Sequence, residues 1–241
     1  MKHRSNWIFS IAPRLMFAFV IGLGFAVLVR AQNQEMQERV AEIKAAAARN
    51  KQALAQYTWV EQVTISLKGE QKKQESFQVR LGPDGQPQKS LISAPAPEEP
   101  SGGRLKRHIV EKKKEEYKEY AEQIKSLIQR YVPPDRDLIG QAYQNGNVLM
   151  GPEAGAPGQY RLIISNYIKP GDKMTLIMDK TQQQLVGLSI VTYLDDPKDA
   201  INVDVQFEQI PGGPNHVSAQ TINGVSKQLT IVIQNSNYQR F

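Results

Sequence analysis

Tyr57-Thr58-Trp59-Val60-Glu61-Gln62-Val63-Thr64-Ile65-Ser66-Leu67-Lys68 decides the fold. Trp59, Val63, Ile65 and Leu67 fall on one side of an extended chain, and Thr58, Gln62, Thr64, Ser66 and Lys68 on the other. A period of two with one apolar face is the signature of a half-buried antiparallel strand. Glu61 interrupts the apolar side and reads as a rim position. The stretch just before it has a different period. Over residues 33–56, Met36, Val40, Ile43, Ala47 and Leu54 recur at helical spacing, and the alanine run 45–48 favours helix intrinsically.

The same alternation returns along the chain. Phe77, Val79 and Leu81 share one face of a strand at 76–81, and Gly82-Pro83-Asp84-Gly85 turns it into a short strand at 88–93. The segment 94–103, rich in Pro and Gly, reads as a linker. A long helix is expected over 105–131, with Ile109, Val110, Tyr117, Tyr120, Ile124, Leu127, Ile128 and Tyr131 on its apolar stripe and Lys112–Lys114, Glu115 and Glu116 on a charged face. Pro133-Pro134 stops it, and 135–143 makes a shorter helix. From Asn147 onward everything reads as β: strands at 159–167, 173–178, 184–194, 200–210, 216–223 and 225–234. The strand at 200–210 turns Ile201, Val203, Val205 and Phe207 inward.

Consecutive strands with short turns predict a meander of eight or so strands whose apolar face must curl or be covered. The expected fold class is α+β. A strongly curved antiparallel sheet, an unclosed barrel, is covered by the N-terminal helix and the long central helix. An apolar space lies between them. Its lining candidates are Trp59, Val63, Ile65, Leu67, Phe77, Val79, Val205 and Phe207. Tyr120, Ile124, Leu127 and Ile128 are the lid candidates.

The N-terminus sets the compartment. Lys2, His3, Arg4 and Arg14 precede fifteen uncharged residues, 15–29, and Arg30-Ala31 follows. This is the layout of a cleaved secretory signal over residues 1–31, and it is short for a span, which needs about 20 apolar residues. The expected location is periplasmic or secreted. Four of the 30 basic residues lie in that segment, leaving 26 against 24 acidic, a balance of +2. Such a balance argues against a nucleic-acid partner. The chain has no cysteine, so burial and hydrogen bonding replace disulfides.

The residues for catalysis are sparse. Beyond His3 the histidines are His108 and His216, fewer than a histidine-based metal site draws on. No phosphate-binding glycine motif is present. Asp195-Asp196-Pro197 reads as a turn. The expectation is a non-enzymatic protein without metal or cofactor. The basic run Arg104, Lys106, Arg107, His108 and Lys112–Lys114, balanced by Glu111, Glu115, Glu116 and Glu119, reads as a solvated face.

The element order is signal, helix, Tyr57–Gln62 opening a meander, central helices, second meander. In the second half, Met178-Asp179-Lys180-Thr181 and then Leu185-Val186-Gly187-Leu188 join two strands through a D-x-T turn. This pattern resembles the periplasmic lipoprotein-localisation carriers of the LolA/LolB type. The resemblance implies one half-barrel domain over 32–241 with a helical insert at 105–143, and an apolar cavity for acyl chains. It implies a lipid, a lipoprotein acyl chain or another apolar molecule as ligand. Envelope membrane proteins are the further candidate partners. The alternative with the same fold is an envelope interaction or stress-sensing module whose core is filled.

Overall fold

The computed structural model describes residues 50–94, 104–132, 134–179, 181–182 and 184–241. The proposed signal segment, most of the N-terminal helix and nearly all of the 94–103 linker lie outside the described residues; residues 50–54 are helical and run into the first strand.

Ten strands form a single antiparallel sheet in the order β3-β2-β1-β10-β9-β8-β7-β6-β5-β4. They are β1 (Tyr57–Leu67), β2 (Glu70–Leu81), β3 (Pro87–Ser93), β4 (Val148–Pro152), β5 (Gln159–Ser165), β6 (Lys173–Asp179), β7 (Gln184–Tyr193), β8 (Ala200–Gln209), β9 (Asn215–Gly224) and β10 (Leu229–Arg240). Two helices, α1 (Arg104–Ile128) and α2 (Arg136–Gln144), interrupt the meander between β3 and β4. Asp135 caps α2, its Oδ1 accepting from the Asp137 and Leu138 amides.

The expected fold class needs correction in the helical cover. The sheet is open: β3 and β4 are its two ends and do not pair with each other. Nor is it a sheet covered by a long central helix. The fold is mostly sheet, and α1 is exposed at His108 and from Glu111 to Glu116; among its described side chains those from Tyr120 onward join the core, and Ile109 and Val110 of the expected stripe lie outside the described side chains. The reason lies in composition. Residues 111–116 are all Glu or Lys, and such side chains gain nothing from lying on an apolar sheet.

Alternation fixes which face is buried. Across the ladder Leu176, Leu188, Val205, Gln220, Ile233 and Val63 stand opposite one another in succession, and so do Met174, Ile190, Val203, Ile222, Ile231 and Ile65. These rows belong to one hydrophobic cluster shared by both halves of the sheet and both helices, apart from Gln220, a buried polar residue within its row.

The turns explain details of the register. Leu67 pairs with Glu70, leaving Lys68 and Gly69 as a two-residue connection with φ of 54° and 80°. Positive φ at both positions makes a tight hairpin turn whose twist matches the strands. That hairpin lengthens β2 six residues beyond the expected start. β4 is a strand at a place in the all-β second half where the pattern marks out no separate strand, and β10 starts at Leu229 rather than 225 and runs past 234 to Arg240.

Candidate functional site

The site with the most structure around it is the seat of α1 on the buried face. Tyr120, Ala121, Ile124, Leu127 and Ile128 all lie in the core cluster. Their spacing places them on one stripe of the helix. Opposite them is Gly224, the last residue of β9. A Cβ there would stand 2.6 Å from Tyr120 Cε1 and 3.0 Å from Ile124 Cδ1, so only glycine lets the helix come this close. Tyr120 is also held by polar contacts. Its hydroxyl donates to Asp199 Oδ1 at 2.7 Å and receives from Ser226 Oγ at 3.1 Å. Burial, with help from Asp199, pushes the phenol up to about 12. The Lys227 ammonium lies about 6 Å from the rings of both Tyr117 and Tyr120, within cation–π range.

The chain just beyond α1 is fixed more firmly. Tyr131, fully buried, donates to Asp172 Oδ2 at 2.6 Å and shares a 2.7 Å hydrogen bond with Thr192 Oγ1. The Asp172 carboxylate also accepts from the backbone amides of Tyr167, Ile168 and Lys169. Burial first, and then the bond to Asp172, raise the Tyr131 phenol, so it stays a donor. Lys169 closes the same turn with its ammonium on the Tyr193 and Leu194 carbonyls.

The lining candidates of the sequence analysis share this buried face. Trp59, Val63, Ile65, Phe77, Val79, Val205 and Phe207 are all buried, and Leu67 is partly buried against the same cluster. Trp59 and Val79 are 0 % exposed, so no water-sized void adjoins either of them. A groove of about 570 Å³ runs along α1; most of the residues lining it carry polar or charged groups, among them Glu119, Glu122, Arg130, Lys169 and Asp195, with Leu127 and Leu194 between them.

Glu61 is not at the rim. It is 0 % exposed and paired with Lys89 of β3, whose ammonium also lies 5.8 Å from the Phe77 ring centroid. Burial lowers the Lys89 ammonium, and the Glu61 charge opposes that shift. Nearby, Trp59 stacks on Tyr238 at 5.6 Å, and His216 sits 4.0 Å from the same ring. Glu61 Oε2, Glu75 Oε2 and His216 Nδ1 are buried with no hydrogen-bond partner among the described residues. Sequence reasoning missed Lys89, His216 and Tyr238 as members of one cluster. The available signal was Glu61 itself, a carboxylate at an apolar position, which demands a buried cation.

The D-x-T turn is present as an Asx turn: Asp179 Oδ1 accepts from the amides of Thr181 and Gln182, each at 2.8 Å. Among the described residues no group of three or more His, Cys, Asp or Glu could hold a metal ion, and no helix is long and apolar enough to cross a membrane.

No family model matches the sequence, and no curated protein matches it. Among solved structures the chain is similar to the crystal structure of a DUF1329 family protein from Desulfovibrio piger. The TM-score is 0.36 and the identity 12 %, over 80 % of this chain and 89 % of that one.

Proposed function

We propose that this chain is a non-enzymatic binding protein of the cell envelope, exported on residues 1–31 and cleaved after Ala31, whose ligand is apolar: a lipid or a lipoprotein acyl chain. The observation that carries this reading is the seat of α1. A short amphipathic segment, Tyr120–Ile128, occupies the buried face of the sheet, while residues 111–116 before it are exposed and charged. An acyl chain that replaced this segment would keep the face covered, at about 0.8 kcal/mol for each CH₂ removed from water. Glycine at 224 makes the seat shallow enough for a helix and leaves a slot when the helix leaves.

The burial of the lining candidates supports a second reading, an envelope protein–protein interaction module in which the core is filled and α1 never leaves its seat. One experiment separates the two. The chain has no cysteine, so Tyr117→Cys and Lys227→Cys can be bridged specifically by a short bis-maleimide. Probe uptake is followed with a fluorescent fatty acid. The carrier reading expects uptake by the unbridged variant and the wild type, and its loss on bridging. Equal uptake after bridging overturns the helix-displacement mechanism, and no uptake by the wild type leaves the interaction module. Export is tested separately: intact mass of envelope protein should begin at Gln32, and full-length chain in the inner membrane would overturn it.

A further inference from the structure

The two ends of the open sheet are unlike. β3 is guarded. It begins with Pro87, which has no amide hydrogen to offer, and it turns Lys89 inward onto Glu61. Both are devices that keep a sheet edge from pairing with another chain, although Leu91 and Ile92 are exposed there. β4 also carries a proline, Pro152 at its end, so the two edges differ in charge: β4 has none. Asn147-Val148-Leu149-Met150-Gly151-Pro152 is uncharged throughout, and its outer edge pairs with no strand among the described residues. Leu149 is 70 % exposed and Met150 52 %.

The register says what is missing. Met150 stands opposite Leu162, which is buried in the core, and directly opposed residues share a face. Met150 therefore belongs to the buried face, and that face stops uncovered at β4. One further strand beyond β4 would continue it.

We infer that β4 pairs antiparallel with β4 of a second copy of this chain, about a two-fold axis through Met150 and perpendicular to the sheet. Such an axis keeps the two buried faces on the same side. It sets Met150 against Met150, Val148 against Pro152 and Leu149 against Gly151 of the second copy, so the large exposed leucine meets a residue with no side chain. A two-fold also opposes like with like near its axis, so any charge there would repel its own copy. β4 carries none, and β3, with Lys89, does. A five-residue ladder is smaller than the roughly 800 Å² per partner of a standard interface, so the dimer is a concentration-dependent one.

Sedimentation of the full protein from low to high micromolar concentration tests this. The expected result is a monomer–dimer equilibrium that Leu149→Lys weakens by about tenfold or more without changing the thermal unfolding of the dilute protein. Met150→Cys, the only thiol in its chain, should oxidise to a disulfide-linked dimer, and adding Leu149→Lys should suppress that product. A monomer at every concentration overturns the inference, even where the edge accepts another protein's strand. So does a disulfide dimer indifferent to Leu149→Lys, or growth into long oligomers, which would mean β3-to-β4 pairing. None of these readouts depends on apolar ligand uptake.

Discussion

The Tyr131 hydroxyl donates a 2.6 Å hydrogen bond to Asp172 Oδ2, and this contact fixes the chain just after α1 to the turn between β5 and β6. Tyr131→Phe keeps the ring and removes the donor. The expected loss is about 1–3 kcal/mol, read as a lower urea midpoint with an unchanged m-value. Asp172→Ala should cost more, because three backbone amides lose their acceptor as well.

The Glu61–Lys89 pair should behave as a buried ion pair does. Lys89→Met leaves a carboxylate uncompensated in the core and is expected to cost about 3–5 kcal/mol. The double change Glu61→Leu with Lys89→Met should recover most of that loss or exceed the wild type. A double variant as unstable as the single one would show that the pair holds β3 in place rather than balancing charge.

Stability should fall on the acid side through His216. Burial lowers its imidazole below the ordinary value of 6.5, against weaker opposing effects from Val217 and Glu208. The unfolded chain then binds a proton at a higher pH than the folded one. The contribution is fully present above pH 6.5 and is lost as pH falls from there through the depressed folded value. His216→Phe should flatten that part of the stability-versus-pH curve, measured by urea unfolding at stepped pH.

Gly224→Val is expected to push α1 off its seat, since even a Cβ would stand 2.6 Å from the Tyr120 ring. Amide exchange should speed up over 117–131 and stay slow in β8 and β10. Uniformly faster exchange would mean that the helix and the sheet unfold as one unit.

Phe207→Ala removes a ring that is 5 % exposed. The expected cost is about 3–5 kcal/mol for a packed aromatic, and a loss below about 1 kcal/mol would place the ring against a loose space by the same cavity argument.

Much of the sheet is legible because alternation is written in single residues. The strand from Ala200 shows it plainly: Ile201, Val203, Val205 and Phe207 are buried and Asp204, Gln206 and Glu208 exposed. The same logic fails where the pattern is weak. The outer part of β2, Glu70-Gln71-Lys72-Lys73, has no apolar face, and only its register against β1 makes it a strand. β4 is too short to show a period. The extent of α1 in the core is overestimated from sequence because a helical stripe tells which face is apolar, not how much of it meets a sheet. The pairing of Glu61 with Lys89 is out of reach, since 28 residues separate them and nothing local marks the lysine as an inward one.

The position of β1 beside β10 has a consequence for how the chain acquires its fold. The Arg240 guanidinium reaches Gln56 Oε1 across 184 residues of sequence, and the Phe241 amide donates to the Gln56 carbonyl. The β1–β2–β3 hairpins can form early, yet they join the other seven strands only when the last strand is made. Closing so long a loop is entropically costly and makes folding slow. Until then the edges of β1 and β10 stand bare, so a chaperone that shields nascent strands has its longest task at this one seam. Because the two ends of the sheet-forming chain meet there, a circular permutant joining 241 to 56 and opened in the 94–103 segment would turn that late pairing into a local hairpin, and should fold faster than the natural order.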